Sequence, residues 1–272
     1  MLKTRVITAL ILLAVLLLVI FSGSFIVFTI FTGIFFAAAA WECLRLFGNK
    51  FPVVGAVLWT VAFAYLVISA SFKQSMLLYA ICVAIWVLRL VPSLGFGLPP
   101  LDGLRNRLLT GIYGIAVLGA FIAILSLYNR SALYMFSVMA LVWIADIGAY
   151  FSGKAFGKRK LAPSISPGKS WEGAIGGGIL VLLASAATLT VPALNDTFAV
   201  QLYLKWGWPG FLAILIVMVA ASILGDLFES QLKRRAGMKD SSNLLPGHGG
   251  VLDRLDALIP TLPLAVLVGY WM

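Results

Sequence analysis

Trp208 to Gln231 reads W-P-G-F-L-A-I-L-I-V-M-V-A-A-S-I-L-G-D-L-F-E-S-Q, and two of its features decide the fold class. It is long and apolar enough to cross a bilayer, which takes about 20 residues. Its polar positions are also ordered. Ser222, Asp226, Glu229 and, just beyond the stretch, Lys233 stand at i, i+4, i+7 and i+11, which is one stripe along a helix. A stripe of that kind cannot face lipid, so it faces protein or a water-filled cavity.

Eight further apolar runs accompany this one: 6–22, 25–47, 52–71, 76–92, 107–127, 132–153, 174–193 and 254–271. The 272 residues are 62% hydrophobic and 11% charged, whereas a soluble domain is about half apolar and a quarter charged. The expected fold class is therefore an all-α, polytopic integral membrane protein with about nine transmembrane helices. It forms a single transmembrane domain over 1–272. Within it, spans 1–110 pack and face lipid, and 143–272 form the catalytic core. The proline- and glycine-rich stretch 92–103 reads as a turn, and Phe25 to Trp41 as packing or lipid contact.

The net charge of +10 does not point to nucleic acid, because its distribution follows topology. With nine spans, only Lys73, Arg130 and Lys205 of the 20 basic residues fall on one side, and the other seventeen share the opposite side with the N-terminus. The positive-inside rule makes that richer side cytoplasmic, with the C-terminus across the membrane. Lys3 and Arg5 before the first run resemble a signal peptide, but the run is long for a cleavable one, so an uncleaved first span is expected. Cys43 and Cys82 have neither disulfide-framework nor zinc-site spacing.

Topology does not explain two polar segments on the cytoplasmic side. The later one, Ser230 to Asp256, reads S-Q-L-K-R-R-A-G-M-K-D-S-S-N-L-L-P-G-H-G-G-V-L-D-R-L-D. Asp226 before it and Asp253 within it flank one loop. Magnesium takes one or two carboxylates and completes its shell with water and substrate phosphate, and this pair can supply those carboxylates. Helix-dipole stabilisation is the plainer account of Asp253 and Asp256. Arg254 can hold a phosphate bidentately. Gly249 belongs to a flexible turn, Pro246 to Gly250, able to bring amides near an anion. His248 can donate to phosphate, carry a proton or stabilise that turn.

The earlier segment contains Asp146, a carboxylate inside an apolar run that must be ion-paired, neutralised or holding a cation. It ends in S-P-G-K-S-W-E-G, 166–173. G-K-S here is not a P-loop, since Pro163 stands where a glycine is needed and no strand is expected before it. Ser166, Lys169 and Ser170 before a helix start remain a good anion-binding set. Gly173 to Gly178 would let another helix approach closely. Phosphoryl chemistry needs positioning and electrostatics rather than a protein nucleophile, which suits the absence of a Ser/His/Asp set.

Ser230, Lys233-Arg234, Lys239-Asp240, Pro246, His248-Gly249-Gly250 and Asp253-Arg254-x-Asp256 together resemble the signature of the phosphatidate cytidylyltransferase (CDP-diacylglycerol synthase) family. D-I-G-A-Y-x-x-G-K from Asp146 and the S-P-G-K-S-W-E-G loop resemble it too, with Gly168 and Ser170 where family members often carry Lys and Thr. The resemblance covers about 145–175 and 222–257. It implies an inner-membrane enzyme that joins CTP to phosphatidic acid, giving CDP-diacylglycerol and pyrophosphate. It also implies magnesium held by Asp226 and Asp253, a monovalent cation such as potassium alongside, and a homodimer. On this reading Lys169, Lys233, Lys239 and Arg254 clamp phosphates and Asp256 orients a neighbour. Ser166, Ser170, His248, Gly249 and Asp146 line the substrate site. The alternatives are a CTP-dependent polyprenol or dolichol-type lipid kinase, or a cation-coupled transporter.

Overall fold

The computed structural model describes residues 2–69 and 72–272, apart from the side chains at 2, 3, 5 and 72–74. Lys3, Arg5 and Lys73, used above for topology, thus lie outside the described side chains, and the last two residues of the expected span 52–71 lie outside the described residues. The helices are α1 Leu2–Phe21, α2 Phe25–Leu46, α3 Pro52–Ser69, α4 Phe72–Ile85, α5 Val91–Phe96, α6 Gly103–Arg130, α7 Ala132–Phe156, α8 Trp171–Thr188, α9 Phe198–Arg235 and α10 Leu258–Tyr270. Strands β1 Lys160–Ala162 and β2 Ser166–Ser170 pair antiparallel between α7 and α8.

Each of the nine expected apolar runs contains a helix, and among the described residues seven helices are long and apolar enough to span. Apolar helical stretches also occur near both ends of the chain, over Val6–Phe21 and Leu258–Tyr270. The fourth run continues to Phe96 through a π turn, Trp86–Leu90, in which Val91 N–H reaches back to the Trp86 carbonyl. Pro92 follows this turn; it has no N–H, and its ring disfavours the ordinary helical bond there. The turn expected over 92–103 is therefore confined to its second half.

The last helix is 13 residues rather than the 18 expected. At 1.5 Å per residue it covers about 20 Å, while the hydrocarbon core is about 30 Å thick. A helical turn at Leu252–Arg254 and the loop 255–257 precede it. Ser241, Ser242 and Gly250 to Leu252 of the polar segment are buried among the helices, while Lys239, Asp240, Asn243 and Pro246 are exposed.

Small residues set the packing that matters for the site. A Cβ on Gly177 would meet the Ala149 amide at 3.1 Å, one on Gly173 the Ala149 carbonyl at 2.8 Å, and one on Gly148 the Gly177 Cα at 2.9 Å. So α7 and α8 lie backbone to backbone, as the glycine run predicts. A Cβ on Gly225 would strike the Asp256 carbonyl and the Pro260 ring, which brings the start of α10 hard against α9. Aromatic packing of Trp86, Tyr113 and Phe228 fixes α9 to the earlier helices.

Candidate active site

The stripe on α9 faces inward. Ser222 and Glu229 are fully buried, Lys233 nearly so, and Asp226 is partly exposed toward a cavity. That cavity, of about 600 Å³, lies between α7, the hairpin, α8, α9 and the 253–256 segment. Its acidic lining is Asp146, Asp226, Asp253 and Asp256, and its basic lining is Lys154, Lys169 and Arg254. Ser166 and Ser170 also line it, while Ala145, Val219 and Ile223 form an apolar wall.

The hairpin delivers Lys169. Its turn closes through Ile165 N–H to the Ala162 carbonyl at 3.1 Å, and β2 runs directly into α8. A strand therefore does precede G-K-S, contrary to expectation, because the 160–170 stretch finds its own antiparallel partner. The Pro163 objection to a P-loop stands. The helix start is not free for an anion either. Ser170 Oγ accepts from Gly173 N–H at 3.1 Å, and Trp171 N–H donates to the Arg159 carbonyl. Ser170 serves α8 as its cap, which satisfies a donor that phosphate would otherwise take. Lys169 Nζ lies 2.5 Å from Asp226 Oδ2, and Ser230 donates to the other oxygen.

Asp253 is held on all sides. Oδ1 accepts from Lys233 Nζ at 2.7 Å, and Oδ2 accepts from the Ser241 and Gly250 amides at 2.8 Å and the Ser241 hydroxyl at 2.9 Å. Burial raises its pKa, but the Lys233 ammonium and the Gly250 amide outweigh that and hold it below the ordinary carboxylate range. Asp256 lines the same cavity, and its Oδ1 accepts from Ala257 N–H at 2.7 Å.

Several expected site residues sit elsewhere. Lys233 is outside the cavity lining; its ammonium lies between Asp253 and Glu229, the latter at 3.2 Å, so its position supports Asp253. Lys239 is exposed and outside the lining. His248 and Gly249 also lie outside it. The His248 carbonyl accepts both Arg254 Nε at 3.0 Å and Nη2 at 2.5 Å, and its amide closes the turn onto Leu245. These are backbone contacts, and the imidazole Nδ1 is buried without a hydrogen-bond partner. Gly249 has φ +84°, and a Cβ there would lie 2.7 Å from Asp253 Oδ2.

Sequence reasoning missed three participants. Lys154 lies eight residues after Asp146 on α7, a helical spacing that places it on the same face. Gly225 carries the close approach to Asp256 described above. Glu42, in a half of the chain read as packing, is fully buried and accepts from the 241–252 segment. The argument that singles out Asp226, a lone acid in an apolar run, applies equally to Glu42.

Two carboxylates lining one cavity from separate elements match the one or two acid ligands that magnesium takes, once the Lys169 and Lys233 ammoniums yield those oxygens. Among the described residues no three acids, histidines or cysteines gather into a complete cage. A cation at Asp226 and Asp253 would thus draw the rest of its shell from water and phosphate. The Lys169 ammonium on Asp226 shows that this carboxylate accepts a close positive charge.

A model of the cytidylyltransferase family matches residues 3–272. The chain belongs to this family. Within it, the chain is 38% identical over 285 residues to the phosphatidate cytidylyltransferase of Haemophilus influenzae, covering 97% of this chain and 96% of that protein. It is 41% identical over 273 residues to the phosphatidate cytidylyltransferase of Pseudomonas aeruginosa, covering 97% and 95%. The Bacillus subtilis enzyme of the same name matches at 41% over 143 residues, 53% of this chain. The family assignment agrees with the resemblance read from residues 145–175 and 222–257.

Proposed function

We propose that the chain transfers the CMP moiety of CTP to phosphatidic acid, giving CDP-diacylglycerol and pyrophosphate. The observation that carries this reading is the recessed cavity, where four carboxylates and three basic side chains meet an apolar wall. Phosphate, nucleotide and lipid chemistry all need one of those features. Near-full-length similarity to two phosphatidate cytidylyltransferases supports the same substrates.

In this reaction a phosphate oxygen of the lipid attacks the α-phosphorus of CTP. The bond from that phosphorus to the bridging oxygen breaks, and pyrophosphate leaves with the electron pair. Lys169, Lys154 and Arg254 line the cavity that would take the phosphates. Their charge stabilises oxygens that gain negative character as the bond to the leaving group lengthens. The lipid phosphate is already anionic near neutral pH, so no strong base is required. Asp226 and Asp253 would hold magnesium, which when bound supplies charge neutralisation between the reacting phosphates. A potassium ion alongside would add to that neutralisation. Lys233 keeps Asp253 ionised and oriented. Ala145, Val219 and Ile223 give the acyl chains an apolar route while the headgroup enters.

The skewed distribution of basic residues supports an inner-membrane enzyme with its N-terminus and site loops in the cytoplasm. Exposed apolar side chains on several helices leave area for lipid and for a second copy in a homodimer. Label position tests the reaction. CTP labelled at the α-phosphate should deliver its label to lipid, with unlabelled pyrophosphate released. Transfer of a γ-label to lipid would make the protein a lipid kinase instead. Solute flux without nucleotide consumption would make it a transporter.

A further inference from the structure

Glu42 is an acid in α2 with no solvent exposure, and it lies outside the cavity lining. A buried carboxylate without partners costs several kcal/mol, so what surrounds it explains why it is tolerated. Four donors converge on it, all from one loop. Ser242 Oγ at 2.5 Å and Val251 N–H at 3.0 Å reach Oε1. Leu252 N–H at 2.7 Å and Ser241 Oγ at 3.2 Å reach Oε2.

The same loop holds Asp253, and the two carboxylates divide its donors. Gly250 N–H goes to Asp253, while the next two amides, Val251 and Leu252, go to Glu42. The Ser241 hydroxyl carries one proton and lies within reach of both, at 2.9 Å from Asp253 and 3.2 Å from Glu42. Gly250 is enclosed between them, since a Cβ there would strike both Ser241 Oγ and Glu42. Consecutive loop amides are divided between the two acids, so moving one carboxylate moves the frame that orients the other.

We propose that Glu42 is a positioning residue for the reaction: it anchors the 241–252 loop to α2 and thereby sets the direction in which Asp253 faces the cavity. This rests on the function proposed above. Groups that orient a metal ligand without touching the metal govern its affinity. Glu42 therefore acts on cation binding more than on nucleotide contacts.

Glu42→Gln preserves shape but turns an NH₂ group toward donors that need an acceptor. In the full-length protein in detergent, the half-saturating magnesium concentration for pyrophosphate release should rise about tenfold or more. The magnesium concentration that raises the thermal midpoint of nucleotide-free protein should rise in parallel, while KM for CTP at saturating magnesium stays near wild type. Ser242→Ala, which deletes one of the four donors, should shift both magnesium midpoints the same way by less. It carries the test if Glu42→Gln does not fold. A lower thermal midpoint with both magnesium midpoints unmoved would overturn the proposal and leave Glu42 a purely structural pin. Wild-type protein that releases no pyrophosphate would overturn the proposed function instead, and the thermal titration would still decide the role of Glu42.

Discussion

Lys169 of the hairpin and Asp226 of α9 meet at 2.5 Å, so the two polar segments close on each other across the cavity. A hydrogen bond to a charged group is worth about 1.5–3 kcal/mol, which corresponds to about 10- to 100-fold in rate or affinity. Lys169→Met should lower kcat/KM for CTP by that range. Steady-state kinetics with CTP as the varied substrate checks it.

Lys233 sits between Glu229 and Asp253, and all three are buried or nearly so. Lys233→Met leaves two carboxylates facing each other without their cation. The loss of one partner from a buried pair costs about 3–5 kcal/mol. The thermal midpoint in detergent should fall accordingly. The double variant Lys233→Met with Glu229→Gln should recover part of the loss, because the uncompensated charge is reduced.

Most of this architecture can be read in the chain because apolar length and helical spacing are local properties. The stripe from Ser222 to Lys233 shows in the sequence which way α9 faces, and the glycines at 173–178 show where α8 is approached. What could not be read depends on contacts between distant segments. Glu42 meets Ser241 and Leu252 across some 200 positions, and nothing near Glu42 signals those partners. The hairpin was hidden because its strands are three and five residues long and rich in serine, proline and lysine, with no alternating apolar pattern. The phosphate-clamp role of Lys233 comes from the family resemblance, while its spacing shows only that it belongs to the polar stripe. Its position between two carboxylates is a tertiary fact.

Gly225 is a close-contact site beside Asp226. Gly225→Ala should destabilise the protein by about 1–3 kcal/mol through overpacking and should lower turnover by displacing Asp226 from the 253–256 segment. Gly178→Ala is the control, since a Cβ there meets only Val219 Cγ1 at 3.8 Å, an ordinary contact. Thermal midpoints and turnover of the two variants should separate clearly.

Magnesium-dependent pyrophosphate release, compared among wild type, Asp226→Asn and Asp253→Asn, tests the central claim most directly. Two acids from α9 and the recessed loop are held to serve one reaction in one cavity. The account predicts turnover in wild type and background release in both variants, with each variant still eluting as folded protein in detergent. Wild-type turnover in either folded variant would contradict it.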